Sequence, residues 1–178
     1  ISEARAQKIG ESYLELQSMQ SILMFLRQYG ISNNLAIKVH QALGSTAVEQ
    51  IKENPYILAD RVDGISFKTA DSIAHLRGIP KNSPLRISSG IKYILETCAY
   101  NQGHTYLPKS LLISNVMAQL GVNQDEAENG ITALELSHEL YCDTVSLEDV
   151  CYLASYYTAE NYVARRLAAL SSYPPPYT

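Results

Sequence analysis

The sequence predicts a mainly α-helical protein with a small α+β part in its second half. Two observations carry that expectation. In the first half, a Gly-Ile-Ser triplet followed by an amphipathic run occurs twice, at an interval of 34 residues. In the second half, three helical stretches are followed by two short β-prone stretches joined by a turn.

Tyr29–Gly44 (YGISNNLAIKVHQALG) and Asp63–Gly78 (DGISFKTADSIAHLRG) share Gly30/Gly64, Ile31/Ile65, Ser32/Ser66, Ala36/Ala70 and Gly44/Gly78, with Val39 opposite Ile73. Each part of the triplet has its own work. Glycine takes positive φ without steric cost, isoleucine anchors the turn, and serine caps the helix that follows. The start, ISEARAQKIGE, resembles a third copy without its glycine, with Ile1, Ser2, Ala6 and Ile9 on Ile31, Ser32, Ala36 and Val39. These are tandem helix–hairpin–helix motifs, the first of them truncated. The second helix of the truncated motif is expected over Glu3–Leu16, and a separate helix over Ser18–Gln28.

Helices are expected next over Asn33–Leu43 and Ala47–Glu53. Asn54-Pro55 ends the latter, because a residue before proline disfavours the α region. A short helical turn at Tyr56–Ala59 leads to the second hairpin. The Gly78–Pro84 stretch, rich in Gly, Pro, Asn and Ser, marks the boundary. Leu85–Asn101 follows as a helix, broken at Gly103-His104. A short strand is expected at Thr105–Leu107, and Pro108 suits the first position of a helix running to Leu120. Asn123 with Glu126 forms a capping pattern for Gln124–Leu136. The strands Leu140–Thr144 and Val150–Leu153 are joined through Ser146–Asp149. Three helices and a β-hairpin make the element order of a winged helix. A last helix, Ser155–Leu170, has Tyr156, Val163 and Leu167 at helical spacing. The expected domains are thus 1–81 (tandem hairpins), 84–171 (winged-helix-like α+β) and 172–178 (a proline-stiffened linker).

Composition narrows the function. Of 178 residues 18% are charged and 46% hydrophobic, so the chain folds rather than remaining disordered. No run of about 18 apolar residues is present, so no membrane partner is expected. Cys98, Cys142 and Cys151 lack metal-ligand spacing and read as buried thiols in a reducing, cytoplasmic setting. The net charge of −4 is unevenly spread: through residue 81 there are nine Lys/Arg against eight Asp/Glu, and beyond it five against ten. Affinity for a phosphate backbone rests on Lys and Arg. A nucleic-acid face therefore belongs to the first half.

A tight turn opening a helix points backbone N–H groups outward, which suits phosphate. Gly64, Ile65, Ser66, Lys68 and Thr69 are the first candidate set, and Gly30, Ile31, Ser32 and Asn33 the second. Both would hold backbone phosphate without reading bases. The bland alternative is that Gly-Ile-Ser only joins helices. Arg86 reaches either a phosphate or a carboxylate, His104 and Asp71 read as structural, and the tyrosines 152, 156, 157 and 162 as packing residues. Arg165-Arg166 reads as a solvated helix face. No GxxxxGK[ST], GxSxG or HExxH sequence occurs, so no catalytic residue, metal site or cofactor is assigned to this chain.

FLRQYGI, KENPYILADRVDGISFKTADSIAHLRGIP, RISSGIKYIL and NQGHTYLP resemble the N-terminal region of RecD-like DNA helicases, long relatives of the exodeoxyribonuclease V alpha subunit. The most specific pieces are Glu53–Tyr56, Phe67–Asp71 and Gly103-His104; Ser66 stands where the family usually has a second glycine. The resemblance implies a non-catalytic, DNA-binding N-terminal fragment of an ATP-dependent 5′-to-3′ helicase. Its motor, with ATP and Mg, would lie beyond the proline-rich end. The implied partners are DNA and the helicase's own C-terminal core. A protein-docking scaffold without DNA contact is the rival expectation.

Overall fold

The computed structural model describes residues 3–172, so the expectations for Ile1, Ser2 and the 173–178 stretch lie outside the described residues. The chain divides into two compact units, Ile1–Ser89 and Gly90–Thr178. The division falls inside one helix, a few residues beyond Gly78–Pro84, because Arg86 and Ser89 bond to Asp71 and Asp60 of the first unit.

The first unit is helical: α1 (Glu3–Arg27), α2 (Asn33–Leu43), a 3₁₀ turn at Gly44–Thr46, α3 (Ala47–Glu53), α4 (Ile57–Arg61), α5 (Phe67–Leu76) and the start of α6 (Pro84–Gln102). Its core is built from one stripe per helix. Ile22 and Leu26 of α1 meet Ala36, Val39 and Leu43 of α2, Ile51 of α3, Leu58 of α4 and Ile73 of α5, with Ile31 and Ile65 entering from the two turns. Asn54 ends α3 in an extended conformation and its side chain accepts the N–H of Tyr56, which turns the chain into α4.

One expectation is overturned here. Instead of two helices over Glu3–Leu16 and Ser18–Gln28, α1 runs unbroken. Ser18 does not cap a new helix; its hydroxyl donates to the Glu15 carbonyl and lies 3.1 Å from His40 Nε2 of α2. With no Gly or Pro between Glu11 and Arg27, nothing interrupts the ladder.

The second unit continues α6 and adds β1 (Tyr106–Pro108), α7 (Lys109–Leu120), α8 (Gln124–Leu136), β2 (Leu140–Val145), β3 (Glu148–Leu153) and α9 (Ala154–Ser171). The antiparallel sheet has the order β1-β3-β2, the strand order of a winged helix. Leu112, Val116, Leu120, Ile131, Leu134, Leu140, Val150 and Leu153 are buried between the helices and this sheet. The capping box of Asn123 and Glu126 forms in both directions. Pro108, expected inside the helix, instead ends β1 opposite Val150 and serves as the N-cap of α7, with extended ψ of 135°. Its fixed φ suits either place. The last helix also differs: among the described residues none of α9 is buried, and Val163 and Leu167 are exposed.

The β2–β3 turn is Ser146-Leu147 alone, because pairing begins at Val145–Glu148. Both residues have positive φ, 52° and 69°, which matches the twist of the strands but suits Asn-Gly better. Replacing Ser146-Leu147 by Asn-Gly is expected to raise stability by about 1 kcal/mol, read as a higher urea midpoint at unchanged slope.

Candidate nucleic-acid interface

Both hairpins are complete, and each is built as its triplet dictates. Gly30 and Gly64 have φ of 74° and 97°. Ile31 and Ile65 are buried, and their amides are taken within the turns by the carbonyls of Leu26 and Val62. They anchor the hairpins and offer little to a ligand. Ser32 caps α2, its hydroxyl accepting the Leu35 N–H at 3.4 Å. Ser66 caps α5 in the same way through the Thr69 N–H at 3.3 Å, and its Oγ lies 3.2 Å from Thr69 Oγ1. Thus Ser66 serves as a capping residue.

The two hairpins touch. A Cβ at Gly64 would lie 3.2 Å from Leu35 Cδ2, in the first turn of α2. Beside it, Lys38 Nζ donates to the Asp63 carbonyl at 3.3 Å. Gly64, Ser66, Lys68 and Thr69 are therefore joined by a lysine from the other hairpin. Lys68 itself is exposed on the first turn of α5, where the helix dipole and uncapped N–H groups favour an anion. Asn33 is exposed at the corresponding place on α2.

Sequence reasoning missed three cations. Lys38 becomes relevant only through folding. Arg27 and Arg61 could have been found, since the same 34-residue offset relates them. Each is exposed in the last turn of its hairpin's first helix.

Behind the second hairpin lies a network that sets the pose of α5. Asp71 Oδ1 accepts from Tyr56 Oη at 2.7 Å and from Arg86 Nε at 2.8 Å, while Arg86 Nη2 reaches Oδ2 at 3.2 Å. Arg86 Nη1 donates to the Lys81 carbonyl. The Tyr56 ring is buried and stacks on Phe67 at 5.8 Å. Burial pushes the Asp71 carboxyl up, but the Arg86 and Tyr56 hydrogen bonds outweigh it and hold the group below its ordinary range. Burial first, then the bond to Asp71, pushes the Tyr56 hydroxyl well up. So Arg86 pairs with a carboxylate. Glu53–Tyr56 and Phe67–Asp71 meet at this network.

Elsewhere, His104 is exposed in the turn before β1. Tyr152 is buried and Tyr157 packs edge-on against it at 5.5 Å, while Tyr156 is half-buried. Tyr162 is exposed and lines a cleft with Tyr141, Tyr157 and Arg165. In α8, the helix that reads DNA in many winged helices, Asp125, Glu126, Glu128 and Glu135 stand with no Lys or Arg.

A family model of the HHH domain of the ATP-dependent RecD2 DNA helicase matches residues 15–106, more than half of the chain. The chain belongs to this family. The match takes in both hairpins and the Tyr56–Asp71–Arg86 network. The ATP-dependent RecD2 DNA helicase of Deinococcus radiodurans is 26% identical over 184 residues, covering 98% of this chain and 26% of that protein. The chain thus spans about a quarter of the length of the curated RecD2 relative it matches. Among the described residues, no helix is long and apolar enough to cross a membrane.

Proposed function

We propose that this chain is the non-catalytic DNA-binding region of an ATP-dependent 5′-to-3′ DNA helicase, gripping backbone phosphate without base readout. The observation that carries this reading is the adjacency of two capped hairpins, with Lys68 and Lys38 at the second. First-turn amides, serine and threonine hydroxyls and two lysines are the donor set a phosphate diester takes. Gly64, Ser66, Lys68 and Thr69 form the principal contact, and Gly30, Ser32 and Asn33 the second. Ile31 and Ile65 hold the two turns in place. ATP and Mg would belong to a motor outside these 178 residues, which contain no phosphate-loop sequence. On this reading the protein works in the cytoplasm.

A second reading has its own observation. Ile9, Tyr13, Leu14 and Leu16 of α1, and Tyr162, Val163, Leu167 and Leu170 of α9, are all more than half exposed, which suits docking on the helicase core.

Fluorescence anisotropy with labelled single-stranded, duplex and forked DNA at low salt separates the two. Lys68→Glu is expected to weaken binding about tenfold and to lower the log–log salt slope by about 1; adding Lys38→Gln lowers it further. Arg166→Glu, far along α9, should change little. No binding at about 10⁻⁴ M would overturn the hairpin clamp in favour of docking, and an equal loss with Arg166→Glu would overturn it in favour of DNA contact outside the hairpins.

A further inference from the structure

Cys142 in β2 and Cys151 in β3 stand directly opposite each other. Both are free thiols, with Sγ atoms 2.9 Å apart. Counting from the two-residue turn, Val145–Glu148 is the hydrogen-bonded pair next to it. Alternation then makes Cys142–Cys151 a non-hydrogen-bonded pair. At such pairs the Cα atoms approach to about 4.5 Å, within the span of a disulfide. The bond therefore closes without moving the strands.

The two thiols are not equivalent. Cys142 is half-buried, whereas Cys151 is fully buried. Glu135, Lys109 and Asp149 also act electrostatically on the pair. The hydrogen bond to Cys151, then burial, pushes the Cys142 thiol up; the same bond, opposed by burial and aided by Lys109, holds Cys151 down.

We propose that Cys142 and Cys151 form an oxidisable dithiol, a disulfide modification site in the β2–β3 hairpin that reacts with low-molecular-weight disulfides. Cys142 is the entry point because it alone of the two is reachable. Its sulfur bonds to one sulfur of oxidised glutathione, and the first reduced glutathione leaves with the thiol proton. Cys151 then attacks the Cys142 sulfur, and the second glutathione leaves with the remaining proton. Two electrons pass from the dithiol to the glutathione disulfide. The product locks strand register across a ten-residue segment, and a thiol-rich poise reverses it.

The test uses the 178-residue chain incubated natively with oxidised glutathione, alkylated, and weighed intact. The expected product has lost two hydrogens, alkylates only at Cys98, and yields a peptide cross-linking 142 to 151. Its melting temperature should rise by roughly 5 °C. Cys151→Ser, checked for folding by circular dichroism, should stop at one stable glutathione adduct on Cys142; Cys142→Ser should form neither adduct nor cross-link at Cys151. Cys98→Ser should leave the cross-link intact. Three alkylatable thiols after oxidation of the natural chain, or a cross-link involving Cys98, would overturn the proposal.

Discussion

Asp71→Ala is expected to destabilise the first unit by about 3 kcal/mol, a loss out of proportion to one small side chain. Asp71 serves two partners that have little access to water. Tyr56 is 1% exposed, and the Arg86 side chain is 12% exposed. Removing the carboxylate takes from a buried hydroxyl and a half-buried guanidinium the acceptor they share, and losing such an acceptor costs more than forming the bonds repays. Tyr56→Phe removes one hydrogen bond to a charged acceptor and should cost about 1.5 kcal/mol. Arg86→Met combined with Asp71→Leu should recover much of the loss, because no charge is then left alone. The lowered Asp71 group also predicts the acid limb. Its contribution is complete above the ordinary carboxyl value of about 3.9 and fades as pH falls through the lower folded value. Asp71→Asn should flatten that limb. Urea unfolding from pH 2 to 7 measures both effects; an unchanged acid limb would show that the network does not tune stability.

Gly64→Val should cost about 3 kcal/mol, whereas Gly30→Ala should cost about 1. The two glycines occupy the same place in the repeat and share positive φ, so sequence alone treats them alike. Their surroundings differ. At Gly30 a Cβ would meet nothing within 4 Å, whereas at Gly64 it would meet Leu35 at 3.2 Å with Lys38 beside it. A bulky side chain there strains the backbone and pushes the hairpins apart. Equal losses at the two glycines, measured by denaturant unfolding, would show that the close approach carries no energy. The same contact makes Lys68→Glu the better probe of DNA binding, since it alters charge on an exposed position and leaves the packing alone.

Local patterns, where one stretch contains its own cause, were legible in the sequence. Gly-Ile-Ser before an apolar-periodic run specifies a turn, an anchor and a cap within a few residues. Asn54-Pro55 stops a helix by backbone sterics, and Asn123 with Glu126 closes a capping box. Period and turn chemistry likewise brought out the helices of the second unit and its β-hairpin. Errors arose where two local solutions lay close in energy. Ser18 suits a cap or a helix interior, and its contacts to Glu15 and His40 put it in the interior. Pro108 suits a strand end or a helix start, and pairing with β3 placed it at the former.

By itself, the sequence determined the mainly α class, the repeated hairpins and the family, because each depends on residue types at short, regular spacing. Only the tertiary structure decided that Arg86 answers Asp71 rather than a phosphate, that Lys38 joins the second hairpin, and that Cys142 faces Cys151. Each of those pairs joins residues nine to twenty-five positions apart. Such contacts arise when helix packing or strand register closes a loop, and no local propensity encodes which side chain will then stand opposite.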